Sequence, residues 1–168
     1  MYKYYFGYGA NQNINYLIKR YNNYNFINYK IGIILNYSFK LCYSEIIDSV
    51  ISTVVRDNNN IIYGVLYEIS NEMLHLFDKQ EHIDKNVYKR IKLPVIILSE
   101  EKIVEAYVYQ AINDKDTRMA SNFYIYKNII LDAVNNILDY PLWYKKYINY
   151  KFQDYYDNSN FYHNNLRT

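Results

Sequence analysis

Glycine places the tightest limit on what this chain can fold into. Its 168 residues include only four glycines, Gly7, Gly9, Gly32 and Gly64, and two of these fall in one short segment. Glycine lets the backbone turn sharply or take positive φ at little steric cost. A chain this poor in it must therefore concentrate its unusual backbone geometry at few points. The aromatic run Tyr2 to Phe6 leads straight into Gly7-Tyr8-Gly9-Ala10-Asn11, where two glycines and an Asn permit positive φ. From Ile14 to Tyr21, Leu17, Ile18 and Tyr21 then recur at helical spacing. The order is buried strand, glycine loop, helix. The same scarcity removes two nucleotide folds: a G-x-G-x-x-G fingerprint needs a glycine where Gln12 stands, and no G-x-x-x-x-G-K-[ST] occurs.

Other classes fall with equal economy. The single cysteine, Cys42, leaves no disulfide framework and no cysteine-rich zinc site. Nineteen Lys and Arg against 17 Asp and Glu give a net charge of +2, with the basic residues scattered, so charge does not argue for nucleic acid. Met1 to Phe6 lacks the apolar stretch of a secretory leader, and no apolar run approaches a membrane span. The expectation is a soluble, cytoplasmic protein. Tyrosine supplies 24 residues, which reconciles a 51% hydrophobic count with a mean hydropathy of −0.37. It also makes any one tyrosine a weak signal.

Tyr29–Tyr37, Val50–Arg56, Ile61–Ile69, Val87–Leu98 and Ile103–Tyr109 are β-branched and aromatic segments that read as strands. Asp57-Asn58-Asn59-Asn60 predicts a turn that pairs Val50–Arg56 with Ile61–Ile69 as a hairpin, and Ser99-Glu100-Glu101-Lys102 predicts another turn. Pro94 argues against a fully central, unbulged strand at that point. Ser70 offers an N-cap to a helix reaching about Glu81, with Glu72 in its first turn. Tyr126, Ile129, Ile130, Ala133, Val134, Ile137 and Leu138 form a 3.6-period stripe ended by Pro141, and a further helix starts near Leu142. The expected architecture is one α+β domain over residues 1–150, with about six strands and peripheral helices, followed by a loosely ordered tail over residues 151–168.

Two features carry chemistry. In the helix after Ser70, the apolar residues are Met73, Leu74, Leu76 and Phe77, and Glu81 falls inside the arc set by Leu74 and Phe77. A carboxylate on the packed side is paired, neutralised, or lines a cavity as a general acid/base whose pKa is lifted by desolvation. The alternative is that the helix ends near Lys79 and Glu81 turns to water. The Gly7–Asn11 loop has two readings as well: backbone N–H groups presented to an anion, or a tight turn alone.

Tyr5-Phe6-Gly7-Tyr8-Gly9-Ala10-Asn11 is similar to the strand and Tyr-Gly-Ser-Asn loop of the γ-glutamylcyclotransferase family, with Ala10 in the Ser place. Gly64-Val65-Leu66-Tyr67-Glu68-Ile69 followed by Leu76-Phe77-Asp78-Lys79-Gln80-Glu81 resembles that family's glycine-containing strand, short helix and Leu-Asp-x-x-Glu. Tyr88 and the strand Lys89 to Val95 match the family's downstream Tyr and alternating strand, and the spacing agrees across most of residues 4–110. The resemblance implies a mixed β-barrel and a cofactor-independent enzyme. Its reaction would be release of 5-oxoproline from a γ-glutamyl amino acid or amine, with Glu81 as acid/base. It implies substrate binding by Tyr5, Phe6, Gly7, Tyr8, Gly9, Ala10 and Asn11, and by Tyr124 or Tyr126 near the C-terminal Ala120-Ser121-Asn122-Phe123-Tyr124. His82 stands where the family often has Gly. Asn11 favours the branch acting on γ-glutamyl amino acids over the glutathione-specific and γ-glutamylamine branches.

His75, His82 and His163 do not converge with Cys42 at any metal spacing, so no metal or cofactor is expected. Gly32 has no assigned role. The expected partner is a small γ-glutamyl molecule, with no nucleic acid and no membrane, and a homodimer stands as an open expectation. The rival reading is a non-catalytic small-ligand or protein-binding module on the same scaffold.

Overall fold

A computed structural model describes residues 2–22 and 28–165, with side chains as far as residue 159. Five strands, β1 (Lys3–Gly7), β2 (Tyr29–Ser44), β3 (Ser49–Ile69), β4 (Tyr88–Ile97) and β5 (Lys102–Ala111), close a barrel in the order β1-β3-β2-β4-β5. Every ladder is antiparallel except the closing one, where β1 runs parallel to β5 with Tyr4 opposite Ala106 and Tyr5 opposite Tyr107. Four helices, α1 (Ile14–Arg20), α2 (Asn71–Gln80), α3 (Phe123–Asn136) and α4 (Leu142–Asn165), complete the α+β architecture expected.

The barrel has five strands rather than about six because two expected strands are one. Asp57–Asn60 does not reverse the chain: it lies within the continuous β3, and the Asp57 carboxylate accepts hydrogen bonds from Asn59 N (3.3 Å) and Asn60 Nδ2 (2.6 Å). Along β2 the register passes from Leu35 opposite Ile61 to Tyr37 opposite Arg56, with Asn36 between them at φ 63°. The turn formers thus produce a bulge. The reversal between β2 and β3 comes earlier, at residues 45–48, with Asp48 at φ 46°. Pro94 is accommodated because β4 pairs with β2 only near Ile96 and Ile97, leaving the β2 side of the strand open at the proline.

Ladder partners share a face of a sheet, and one such face is densely apolar. Gly32 lies opposite Gly64, and Phe6, Leu66, Val95 and Ala106 are buried beside them. A Cβ on Gly64 would stand 2.7 Å from Phe6 Cε1, and one on Gly32 2.6 Å from Val95 Cγ1. The glycine pair is therefore the space into which Phe6 and Val95 fit.

The tail differs from expectation. Residues 151–165 continue α4, and residues 166–168 lie outside the described part. Tyr144, Ile148, Phe152 and Tyr155 recur on one face and are all buried. Phe152 packs 6.2 Å from the ring of Phe39 and 6.1 Å from that of Phe123. In α3 the apolar stripe begins earlier than expected, at Phe123, and ends before Leu138, which is 92% exposed. Among the described residues no helix is long and apolar enough to cross a membrane.

Candidate active site

Side chains alternate along β1, so Tyr5 projects from the face opposite to Phe6. Its ring lies 4.5 Å from that of Phe77 on α2 and 5.7 Å from that of Tyr109 on β5. Beyond β1 the chain folds back on itself: a Cβ on Gly7 would stand 2.8 Å from the carbonyl oxygen of Asn11. A 3-10 turn follows at Ala10–Gln12, closed by Gln12 N to Gly9 O at 3.1 Å and Asn13 N to Ala10 O at 3.0 Å. The start of such a turn leaves N–H groups without intrahelical partners. Here those of Gly9, Ala10 and Asn11 donate to no backbone carbonyl among the described residues. None of the described glycines has positive φ, contrary to expectation. Glycine is needed at positions 7 and 9 for close approach: a Cβ on Gly9 would collide with Ser52 Oγ and lie 3.2 Å from the Tyr126 hydroxyl.

The other wall comes from α2. Ser70 Oγ accepts from Met73 N at 3.1 Å, and Met73, Leu74 and Phe77 are buried against the barrel. The Asp78 carboxylate accepts from the Tyr109 hydroxyl at 2.7 Å and pairs with Arg90 at 2.6 Å, tying the last turn of α2 to β4 and β5. The helix ends at Gln80, and Glu81 is its C-cap residue.

A cavity of about 110 Å³ lies between these walls, lined by Tyr5, Tyr8, Gly9, Ala10, Asn11, Tyr16, Ile47, Ile51, Ser52, Gln80, Glu81, Tyr88, Tyr109 and Tyr126. The part-buried Glu81 carboxyl receives hydrogen bonds at Oε1 from Asn11 Nδ2 (2.9 Å) and Gln80 Nε2 (3.2 Å). Its Oε2 has no hydrogen-bond partner among the described residues. Burial pushes the Glu81 pKa up to about 7, opposed by the Asn11 hydrogen bond and the Arg20 charge. Burial also raises Tyr5, Tyr8, Tyr88 and Tyr126, which keeps these hydroxyls neutral and able to donate. Tyr126 is held by Ser52, whose N–H donates to its hydroxyl at 3.0 Å and whose Oγ lies 2.7 Å from it. Tyr88 donates to Ser52 O at 2.7 Å.

The cavity gathers Glu81, Tyr5, Tyr8, Gly9, Ala10, Asn11 and Tyr126 from the residues singled out in the sequence. Three others lie elsewhere. Phe6 is wholly buried on the opposite face of β1, Gly7 shapes the loop without lining the cavity, and Tyr124 is 59% exposed with its ring against Tyr156. The register of α3 is the reason: Tyr126, two residues on, lies on a different side of the helix. Sequence reasoning gave no site role to Tyr16, Ile47, Ile51, Ser52, Gln80, Tyr88 and Tyr109. Gln80 adjoins the singled-out Glu81, whereas Ser52 becomes visible only once Tyr126 is placed. Among the described residues no group of three or more His, Cys, Asp or Glu side chains is placed to hold a metal ion.

Residues 61–141 match the model of the AIG2-like family. A solved structure of a gamma-glutamyl cyclotransferase superposes with a TM-score of 0.73, covering 89% of this chain and 87% of the other at 21% identity. The fold is γ-glutamylcyclotransferase-like. An uncharacterized protein from Homo sapiens gives a TM-score of 0.71 at 20% identity, covering 88% of this chain and 86% of its own. A gamma-glutamyl cyclotransferase specific to glutathione, from yeast, gives 0.60 at 12% identity, covering 92% and 96%. No curated protein matches the chain by sequence. In this γ-glutamylcyclotransferase-like barrel the cavity lies outside the apolar face, between the β1 loop and the C-terminal end of α2.

Proposed function

We propose that the chain is a γ-glutamylcyclotransferase. The observation that carries this reading is the Glu81 carboxyl, desolvated at the cavity wall, with a pKa of about 7 and one oxygen unpartnered among the described residues. A group poised near neutral pH can both take and return a proton. The α-amine of a γ-glutamyl group attacks its own γ-carbonyl carbon; a C–N bond forms in the ring and the C–N bond to the leaving amine breaks. The α-ammonium gives up two protons in all and the leaving nitrogen gains two, with Glu81 carrying them. Nucleophile and electrophile share one molecule, so the protein's main task is to hold a folded, near-attack shape. The loop N–H groups of Gly9, Ala10 and Asn11 suit an anionic substrate end or the developing oxyanion.

Glu81→Gln keeps the shape of the side chain and removes the base. We expect it to lower 5-oxoproline release from γ-glutamyl-alanine by roughly 10²–10⁴-fold, with an unchanged circular dichroism spectrum. In the wild type, kcat/KM rises with pH through a midpoint of about 7. Turnover in the variant equal to wild type would refute the assignment. Parallel assays with γ-glutamyl-ε-lysine and glutathione identify the leaving amine, and no product from any of the three leaves the scaffold as a binding module.

A further inference from the structure

The side chains behind Glu81 form a directional chain. The Tyr21 hydroxyl donates to Gln80 Oε1 at 2.5 Å, and Gln80 Nε2 donates to Asn11 Oδ1 at 2.9 Å as well as to Glu81 Oε1. Asn11 Nδ2 in turn donates to Tyr5 Oη at 2.8 Å and to Glu81 Oε1 at 2.9 Å. With its oxygen engaged by Gln80, the Asn11 amide has its NH2 group turned toward the carboxylate. The reverse orientation would set an amide oxygen against Oε1, which a carboxylate cannot tolerate. Two amides thus fasten one oxygen of Glu81 and leave the other unengaged.

We infer that Gln80, held by Tyr21, is a positioning residue for Glu81: by orienting the Asn11 amide and sharing its own N–H, it fixes Oε1 and makes Oε2 the atom that exchanges protons. This inference rests on the proposed function for its chemistry but on geometry alone for the network. Hydrogen bonds to the charged form of a carboxyl favour that form, so the network keeps part of Glu81 ionised against desolvation. The charged and titratable groups facing Glu81 are Arg20 and Tyr21 at the end of α1, Tyr5 on β1, Tyr8 in the loop, Tyr88 on β4, Tyr109 on β5 and Tyr126 on α3. Arg20 donates to the Tyr16 hydroxyl at 2.6 Å, and its charge acts on Glu81 in the same direction as the network. The tyrosines are neutral over the range in question.

Gln80→Met keeps an unbranched, helix-favouring side chain and removes both N–H donors. With glutamate side-chain carboxyls labelled with carbon-13 and the Glu81 signal identified by its loss in Glu81→Gln, the titration midpoint of Glu81 should rise by about one unit or more. On the acid side of the profile kcat should fall about tenfold per unit, with KM held. Tyr21→Phe removes one hydroxyl and leaves the ring against Phe77, so it provides the test should Gln80→Met fail to fold; its midpoint should move the same way by less. A folded Gln80→Met, or failing that a folded Tyr21→Phe, with the wild-type midpoint overturns the inference. If no γ-glutamyl substrate yields 5-oxoproline, the proposed function fails while the carboxyl titration still decides the network.

Discussion

Phe6 and Tyr5 are neighbours in sequence and buried to nearly the same degree, yet they serve opposite ends of the fold. Phe6 occupies the space opened by the Gly32–Gly64 pair, among atoms that make no hydrogen bonds to it. Tyr5 sits among aromatic rings but ends in a hydroxyl that accepts from Asn11. On the first side shape alone determines the fit. On the second, every described buried side-chain polar atom is paired, and the more accessible Glu81 Oε2 is left over. One strand therefore divides a region specified by volume from a region specified by hydrogen bonds. A protein built this way can tune the second without repacking the first.

The largest expected effect tests whether the two sides are separable. Phe6→Ala should destabilise the protein by ~3–5 kcal/mol, the lost transfer energy plus the cavity left between two glycines that cannot fill it. Urea denaturation measures this. The Glu81 midpoint, read in the same variant under native conditions, should stay at about 7. Movement of that midpoint would show that the face specified by volume also sets the electrostatics of the other.

A second prediction concerns the cost of the site to the fold. Glu81 has a folded pKa raised from 4.5 to about 7. Between those values the unfolded chain has released the proton that the folded chain keeps, so stability falls as pH rises. The stabilising contribution is complete below about 4.5 and is lost as pH passes through about 7. The shift corresponds to ~3–3.5 kcal/mol. Glu81→Gln should therefore be more stable than wild type by about that amount near pH 8 and similar to it near pH 4.5, as read by urea titrations at both values. A mutation expected to remove the proposed activity would then stabilise the fold, the relation that follows where a group is held in a setting unfavourable to its charge. Parallel pH profiles for the two proteins would mean that the carboxyl is solvated after all.

The same division explains what the sequence made legible. Glu81 could be singled out because helical periodicity is strict and a carboxylate inside an apolar arc breaks it. Gly9, Ala10 and Asn11 were marked by the rarity of glycine. Phe6 enters the expected site only because it belongs to the same short motif as Tyr5, and contiguity in a motif says nothing about which face of a strand a residue occupies. Val50–Arg56 and Ile61–Ile69 read as separate strands because Asp57–Asn60 has turn composition; the pairing with β2 on both sides holds the chain extended through it. The helical tail was hidden by its tyrosines and asparagines, since neither residue declares an apolar face until Tyr144, Ile148, Phe152 and Tyr155 are seen against Phe39 and Phe123. Gln80 and Ser52 act through partners far away in sequence, and no periodicity announces them.

The smallest expected effect concerns the backbone that brings the chain away from Glu81. His82 follows the α2 C-cap with φ 49° and ψ 48°, and its N–H donates to Lys79 O at 3.2 Å. That is the left-handed position at which helices commonly place glycine, and a residue with a Cβ and a bulky ring is strained there. His82→Gly relieves about 1–2 kcal/mol of strain and loses part of it, roughly 0.4–1 kcal/mol, to the greater freedom of the unfolded chain. A net stabilisation of about 0.5–1 kcal/mol remains. Asn86, also left-handed at φ 59°, supplies the contrast: asparagine tolerates this region, so Asn86→Gly should gain less. Urea midpoints of the two variants measure the difference. Equal gains at both positions would mean that the histidine pays no more than an asparagine for its conformation, and that the hydrogen bonds around Lys79 and Val87 already hold the turn in place without strain.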